Sequence, residues 1–328
     1  MKEEDIRKRS VFNRYLELVA DDVKVFFDKG NFLETNCPAC ASADIGFEFE
    51  KTNFSYVSCR KCGTLFVNPR PSLEVMKRFY SESASTSFWV NEFFKPVAEA
   101  RREKIFRPRA EYLSAFLRED KISAVAEIGA GFGIFLEELR KISPNKHYIA
   151  IEPSKEMADI CSRKGLETRM AMFEEISDMD GKLDLLVSFE LLEHLVRPED
   201  FFNKAYSLLR PGGKLVFTTL NGMGFDILLL WESSKSVTPP HHLNFFNPYS
   251  VKLLIERFGF EAQDISTPGK LDWDIVEGMI KNEGAKLGRF WQKIADQAGQ
   301  ECKKGLQQWI IKNSLSSHMR VLAKRKVS

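Results

Sequence analysis

A short apolar strand that runs into glycines at alternate positions leaves a chain few folds to choose from. Here Val125-Ala126-Glu127-Ile128 leads into Gly129-Ala130-Gly131-Phe132-Gly133, and an amphipathic segment, Ile134 to Arg140, follows without a break. Glycine lets the backbone turn sharply and lets a ligand approach it closely. The helix start beyond the glycines offers unpaired N–H groups and the positive end of a dipole. The spacing is G-x-G-x-G; a nicotinamide fingerprint wants glycine at position 134, where this chain has Ile134. Tyr148-Ile149-Ala150-Ile151 reads as a second strand, closing on Glu152-Pro153. A carboxylate at that strand's tip, about 20 residues past the glycines, suits a ribose diol.

The surrounding pattern alternates strand and helix, as a parallel sheet requires. Strands are predicted over 125–129, 147–152, 166–170, 183–189, 214–220 and 260–267, with helices over 133–141, 154–164, 198–210 and 250–258. A last strand is predicted over Ser317 to Lys324. The expected architecture is a Rossmann-like α/β core of seven strands, residues 121–328, carrying a helical insertion over about 271–316. Residues 1–120 form an N-terminal unit of a helix, a cysteine module and lid helices. Residues 1–30 read as one helix, Ser72 caps another toward Tyr80, 81–96 suits a mobile lid, and 97–118 is a further helix.

Four of the six cysteines fall in two C-x-x-C pairs, Cys37 with Cys40 and Cys59 with Cys62, at the spacing of a zinc module. A tight knuckle aims two thiolates at one point. Pro38 stiffens the first knuckle, and Gly63 suits a left-handed turn after the second. Between the pairs, Gly46 to Ser58 alternates as a hairpin around Lys51-Thr52-Asn53. Four thiolates close a tetrahedral shell, so a bound zinc would be structural. Two disulfides or four free thiols are the alternatives. Cys161 and Cys302 read as buried small apolar residues.

The glycine loop and Glu152 resemble motif I and the acidic loop of class I S-adenosylmethionine-dependent methyltransferases. The resemblance continues through Leu183 to Phe189, then Glu190-Leu191-Leu192-Glu193-His194-Leu195, and Leu208 to Phe217 with its Arg210-Pro211-Gly212-Gly213 turn. It implies that Gly129, Ala130, Gly131 and Gly133 face the methionine moiety of S-adenosylmethionine and that Glu152, beside Pro153, faces the ribose. It also implies that Met172 and Phe173 border the adenine and that Phe189 and Glu190 line the same pocket. Many relatives carry an acidic residue where Met172 stands, which leaves adenine recognition to the backbone at Phe173. In this family the final strand turns back antiparallel between strands five and six.

The sulfonium methyl needs an aligned nucleophile, and an oxygen or carbon acid also needs a base near neutrality. Of five histidines, His194 follows strand four at the edge where ligands bind, and His241 and His242 follow strand five on the same edge. His147 and His318 read as surface or structural. Zinc knuckles, lid helices, methyltransferase core and a histidine after strand five together resemble the zinc-containing sugar methyltransferases. Those act on nucleotide-linked keto-deoxysugars or surface-polysaccharide sugars. His242 matches that family's base, and His241 stands where the family often has Glu. The resemblance thus implies a small-molecule or glycan acceptor, methylated at oxygen or carbon.

The formal net charge is +2, which implies no polyanion partner, and Asp44, Glu48 and Glu50 offset Lys51, Arg60 and Lys61 in the cysteine module. An RNA methyltransferase is therefore the second reading, and a non-catalytic scaffold the third. The charged N-terminus lacks a signal core, and Ile227 to Trp231 is too short to span a bilayer, so the expected location is cytoplasmic. From Lys270 onward there are 12 Lys or Arg against 6 Asp or Glu. That basic stretch can rest weakly on a membrane surface; packing on its own core or across a homodimer is the alternative.

Overall fold

The computed structural model describes residues 2–119 and 122–327. Its strands are β1 Ile45–Lys51, β2 Phe54–Cys59, β3 Leu65–Val67, β4 Ala124–Ile128, β5 His147–Ile151, β6 Glu167–Arg169, β7 Leu183–Phe189, β8 Leu209–Leu220, β9 Asn244–Phe245, β10 Phe260–Ser266 and β11 His318–Arg325. Seven of them form the main sheet, in the order β10-β11-β8-β7-β4-β5-β6. The five from β8 to β6 are parallel, and β11 lies antiparallel between β8 and β10. This is a Rossmann-like methyltransferase fold, with the last strand where the resemblance put it. The central strands are buried throughout, β7 as Leu183 to Ser188 and β4 as Val125 to Ile128, because helices cover both faces.

A second sheet, ordered β1-β2-β3-β9, holds the cysteine module. Thr52 and Asn53 both take positive φ, 48° and 64°, which gives the hairpin its tight turn. Gly63 takes φ 70° after the second knuckle. The fourth strand of this sheet comes from far along the chain: Leu65 pairs with Phe245 and Phe66 with Asn244. Asn247 caps the helix Pro248–Arg257, accepting from Ser250 N–H at 2.8 Å, and its amide donates to the Cys62 carbonyl at 2.8 Å.

Three expectations change. The N-terminal helix is two, Glu3–Ile6 and Arg9–Phe26. Arg7 leaves the helical path, pairs with Glu3 and lies over the Phe12 ring. Residues 84–94 are helical, and Trp89 and Phe93 stack at 4.1 Å while packing on Tyr15 and Phe12, because aromatic area buried between helices outweighs the serines' turn preference. The segment is thus a packed layer. The 97–118 helix contains a π-helical turn, Arg102–Phe106, a widening that often marks functional sites.

The insertion is three helices, Asp272–Glu283, Arg289–Gln297 and Gln300–Lys312. They bury Trp273, Val276, Ala295 and Ile310 against Phe225 and Leu230 and leave Phe290 and Trp309 exposed. Cys161 is buried as expected; Cys302 is exposed, on the outer face of its helix. Among the described residues, no helix is long and apolar enough to cross a membrane.

Candidate active site

The three loop glycines all take left-handed backbone, φ 67° at Gly129, 54° at Gly131 and 66° at Gly133, but they face different surroundings. A Cβ on Gly131 would meet nothing within 4 Å, and one on Gly129 would only touch Leu191 at 4.0 Å. A Cβ on Gly133 would strike Leu166 at 2.8 Å and Cys161 at 3.0 Å. Gly129 and Gly131 therefore border open space, while Gly133 lets the helix Ile134–Ile142 pack on its neighbour. Ala130 is buried between them.

Glu152 closes the cradle. Its carboxylate accepts from the Gly131 N–H at 2.8 Å and the Ser154 N–H at 2.9 Å. Burial raises its pKa, and those two N–H donors oppose the rise. Each carboxylate oxygen keeps a second lone pair, so ribose hydroxyls can still donate to it. Pro153 is exposed beside it. Met172 is half-buried, and the Phe173 ring packs on Phe201 in the core at 5.4 Å, which leaves only the Phe173 backbone to a ligand.

Phe189 packs on Phe135 and lies beneath Arg109, whose guanidinium is 4.6 Å from the ring centroid. Glu190 sits at φ 52° and accepts from Arg109 at 2.9 Å and from the Thr218 hydroxyl at 2.6 Å, with His318 Nδ1 at 3.3 Å. Burial opposes its ionisation, but His318 and Arg109 hold its carboxyl well below the usual range. Glu190 is thus an ionised anchor for the wall. His318 has a role there that the sequence did not disclose, whereas His147 pairs with Glu167 at the surface.

The three candidate histidines converge. The His194 and His242 ring centroids are 4.8 Å apart, and His241 lies 6.2 Å from His194. His242 Nδ1 is 2.5 Å from the Ser236 carbonyl, which can only accept, so the proton sits on Nδ1 and Nε2 keeps its lone pair. Tyr56 donates to the His242 carbonyl at 2.8 Å and fixes the backbone. His194 Nδ1 lies 3.2 Å from the Tyr80 hydroxyl, and the His241 carbonyl also borders its ring.

His241 is enclosed by the rings of Tyr15, Phe79 and Tyr80, and its Nε2 has no partner among the described residues. Burial and its neighbour His242 push its pKa down to about 3. It is an aromatic-packed residue, the poorer base of the pair. Burial also lowers His242 and, with two adjacent histidines, lowers His194.

Glu193, one residue before His194, is 1 % exposed and accepts from the Thr219 hydroxyl at 2.8 Å. Burial and the Glu190 charge raise its pKa. Tyr80 lies deep enough for burial to raise its pKa, yet 36 % of its surface is open. His194 and His242 are half-buried beside it, and the space over these three rings is the candidate acceptor chamber.

Tyr80 and Arg109 were not singled out in the sequence, because each reaches the site from more than 80 positions away. The Glu190, Glu193, His194 spacing was visible, but its geometry was not.

The four cysteine sulfurs lie within 4.8 Å of one another, with Cys37–Cys62 and Cys40–Cys59 both at 3.5 Å and no disulfide among the described residues. A zinc ion about 2.3 Å from each sulfur gives sulfur–sulfur edges of about 3.8 Å, so the set fits that ion. The Ala39 and Cys40 backbone amides turn toward Cys37 Sγ, as a knuckle requires.

Residues 97–265 match a family model described as a methyltransferase domain. Over 171 residues the chain is 26% identical to the ubiquinone biosynthesis O-methyltransferase of Xanthomonas axonopodis pv. citri, covering 48% of this chain and 70% of that one. Over 155 residues it is 28% identical to the enzyme of that name from Colwellia psychrerythraea, covering 43% and 62%. A chain in the complex between the Haloferax volcanii Trm112 methyltransferase activator and a methyltransferase aligns with TM-score 0.50 and 11% identity, over 73% of this chain and 96% of that one. That likeness speaks to the fold alone.

Proposed function

This chain belongs to the methyltransferase family and is an S-adenosylmethionine-dependent enzyme; from that premise we propose that it methylates a sugar or sugar-derived metabolite at oxygen or carbon, activated by the His194–His242 wall. When bound, S-adenosylmethionine supplies a methyl on a sulfonium, a leaving group that needs no acid. Gly129 and Gly131 would hold the methionine moiety, Glu152 the ribose hydroxyls, and the backbone at Met172 and Phe173 the adenine edge. The open space over Gly131 supports that fit.

His242 is assigned to the acceptor's acidic proton. Its ring is lowered in pKa and therefore neutral at pH 7, with Nε2 unprotonated and held by the Nδ1–H bond to Ser236. His194, steadied by Tyr80, orients the acceptor beside it. One observation carries the sugar reading: the chamber wall is polar. Tyr80, His194 and His242 offer hydrogen bonds that a hydroxylated acceptor satisfies, whereas an isoprenoid chain would leave them unpaired. The cysteine module beside the segment that carries His242 supports the same reading, with Cys37, Cys40, Cys59 and Cys62 as the residues that would hold zinc.

The relatives' names favour a second reading, O-methylation of an aromatic hydroxyl. Incubation with methyl-labelled cofactor and a panel of nucleotide sugars, glycans, dihydroxylated aromatics and RNA decides between them. Label in a sugar is the expected result; label in the aromatics moves the acceptor class, and label in RNA revives the nucleic-acid reading.

A further inference from the structure

We propose that Glu193, His194 and His242 together form a binding site for a divalent first-row metal ion at the head of the acceptor chamber. This rests on the reading that the same wall activates the acceptor, and it names the agent. One ligand atom from each residue lies within 4.8 Å of the other two. An ion about 2.1 Å from each needs those atoms within roughly 4.2 Å, so side-chain shifts of under an ångström close the set.

The convergence has no other explanation in hydrogen bonding. Among the described residues no hydrogen bond or ion pair joins Glu193, His194 and His242 to one another; their partners are Thr219, Tyr80 and Ser236. Their remaining ligand atoms are thus left near one another, where a cation can draw on all three.

Each partner holds its residue as an outer shell does. Thr219 donates to Glu193, the Ser236 carbonyl takes the His242 Nδ1 proton and frees Nε2, and Tyr80 and the His241 carbonyl border the His194 ring. These partners lie on β8, the helix Leu73–Glu82 and the loop before β9, so three parts of the fold fix one point.

Two imidazoles and one carboxylate suit manganese, iron, cobalt or zinc, a different preference from that of the four-thiolate centre. Three protein ligands leave coordination positions open toward the chamber. Acceptors with two adjacent oxygens, such as a vicinal diol, fit those positions.

Manganese(II) is the probe, because its preference for oxygen and nitrogen ligands keeps it from the thiolates. Titration of the full chain, with its thiolate zinc quantified, is followed by electron paramagnetic resonance. The expected result is one saturable ion per chain with nitrogen hyperfine coupling from imidazole. His194→Ala and His242→Ala should abolish that signal. Thr219→Val should weaken binding roughly 10–100-fold, the usual worth of an outer-shell partner. Unchanged S-adenosylhomocysteine affinity in each variant shows that it is folded.

No saturable manganese, cobalt or zinc beyond the thiolate centre overturns the proposal, as does binding that survives both histidine changes. If no second ion binds while His242→Ala still slows methyl transfer, the ion is refuted and the proton-acceptor role stands. If the ion binds but His242→Ala leaves transfer unchanged, the site stands and the activation reading fails.

Discussion

Gly131 and Gly133 read alike in sequence but answer to different constraints, and substitutions should separate them. Gly131→Leu fills open ligand space, so cofactor binding should vanish in calorimetry while melting falls only by the cost of a left-handed side chain, about 1–2 kcal/mol. Gly133→Ala pushes into Leu166 and Cys161 and should lower stability first. The histidines separate in the same way. His242→Ala should leave S-adenosylhomocysteine affinity intact while turnover drops roughly 10²–10⁴-fold. Because burial lowers the His242 pKa, wild-type turnover should hold to below pH 6.5 before the acid limb sets in; a limb above that pH would count against His242.

His241 makes a stability prediction. Its folded pKa is depressed to about 3, so below about pH 6.5 the unfolded chain takes up a proton that the folded one refuses. Stability from this group is present above that pH and lost as pH falls. His241→Phe lacks that term, so its melting temperature relative to wild type should rise steadily on acidification from pH 7 to 5; a gap independent of pH would refute it.

At the scale of elements, the segment that carries His241 and His242 into β9 is stitched on both sides. β9 pairs with β3 of the cysteine module, Tyr56 holds the His242 carbonyl, and the Leu243 N–H donates to the Glu193 carbonyl at 2.7 Å. Arg70 bridges the module to Val196 and Asn244 at 2.8 and 3.2 Å. Zinc bound by the four cysteines would thus brace the acceptor wall more than the cofactor cradle. Metal analysis should find one zinc in the thiolate centre, and Cys59→Ser should lower turnover more than cofactor affinity, with protease sensitivity appearing within 34–70. Equal loss of both would detach the module from the wall. On the other side, Arg102 pairs with Glu137 and Glu138, and Arg107 with Glu138, so the widened helix before the core is tied to the helix after the glycine loop. Arg109, two residues further on, reaches Glu190 from that helix.

For the whole molecule, β11 closes the sheet. It buries Met319, Val321, Leu322 and Ala323 between β8 and β10, so truncation before His318 should cost the fold rather than trim it, and loss of cooperative melting would register this. Most of that architecture was legible, because strands buried on both faces read as apolar runs and glycines mark the turns. Val125 to Gly133 determined the core and its cradle, and the two C-x-x-C pairs determined the thiolate cluster, since in each case residues close in sequence act together. The chemistry at the acceptor end was decided only by tertiary structure. Tyr80, the adjacent pair Glu193 and His194, and His242 come from three segments, and nothing local distinguishes the buried, aromatic-packed His241 from the half-buried His242. A side chain's burial, tautomer and partners are properties of what folds around it, so periodicity and spacing carry the scaffold, and only packing assigns the histidines their roles.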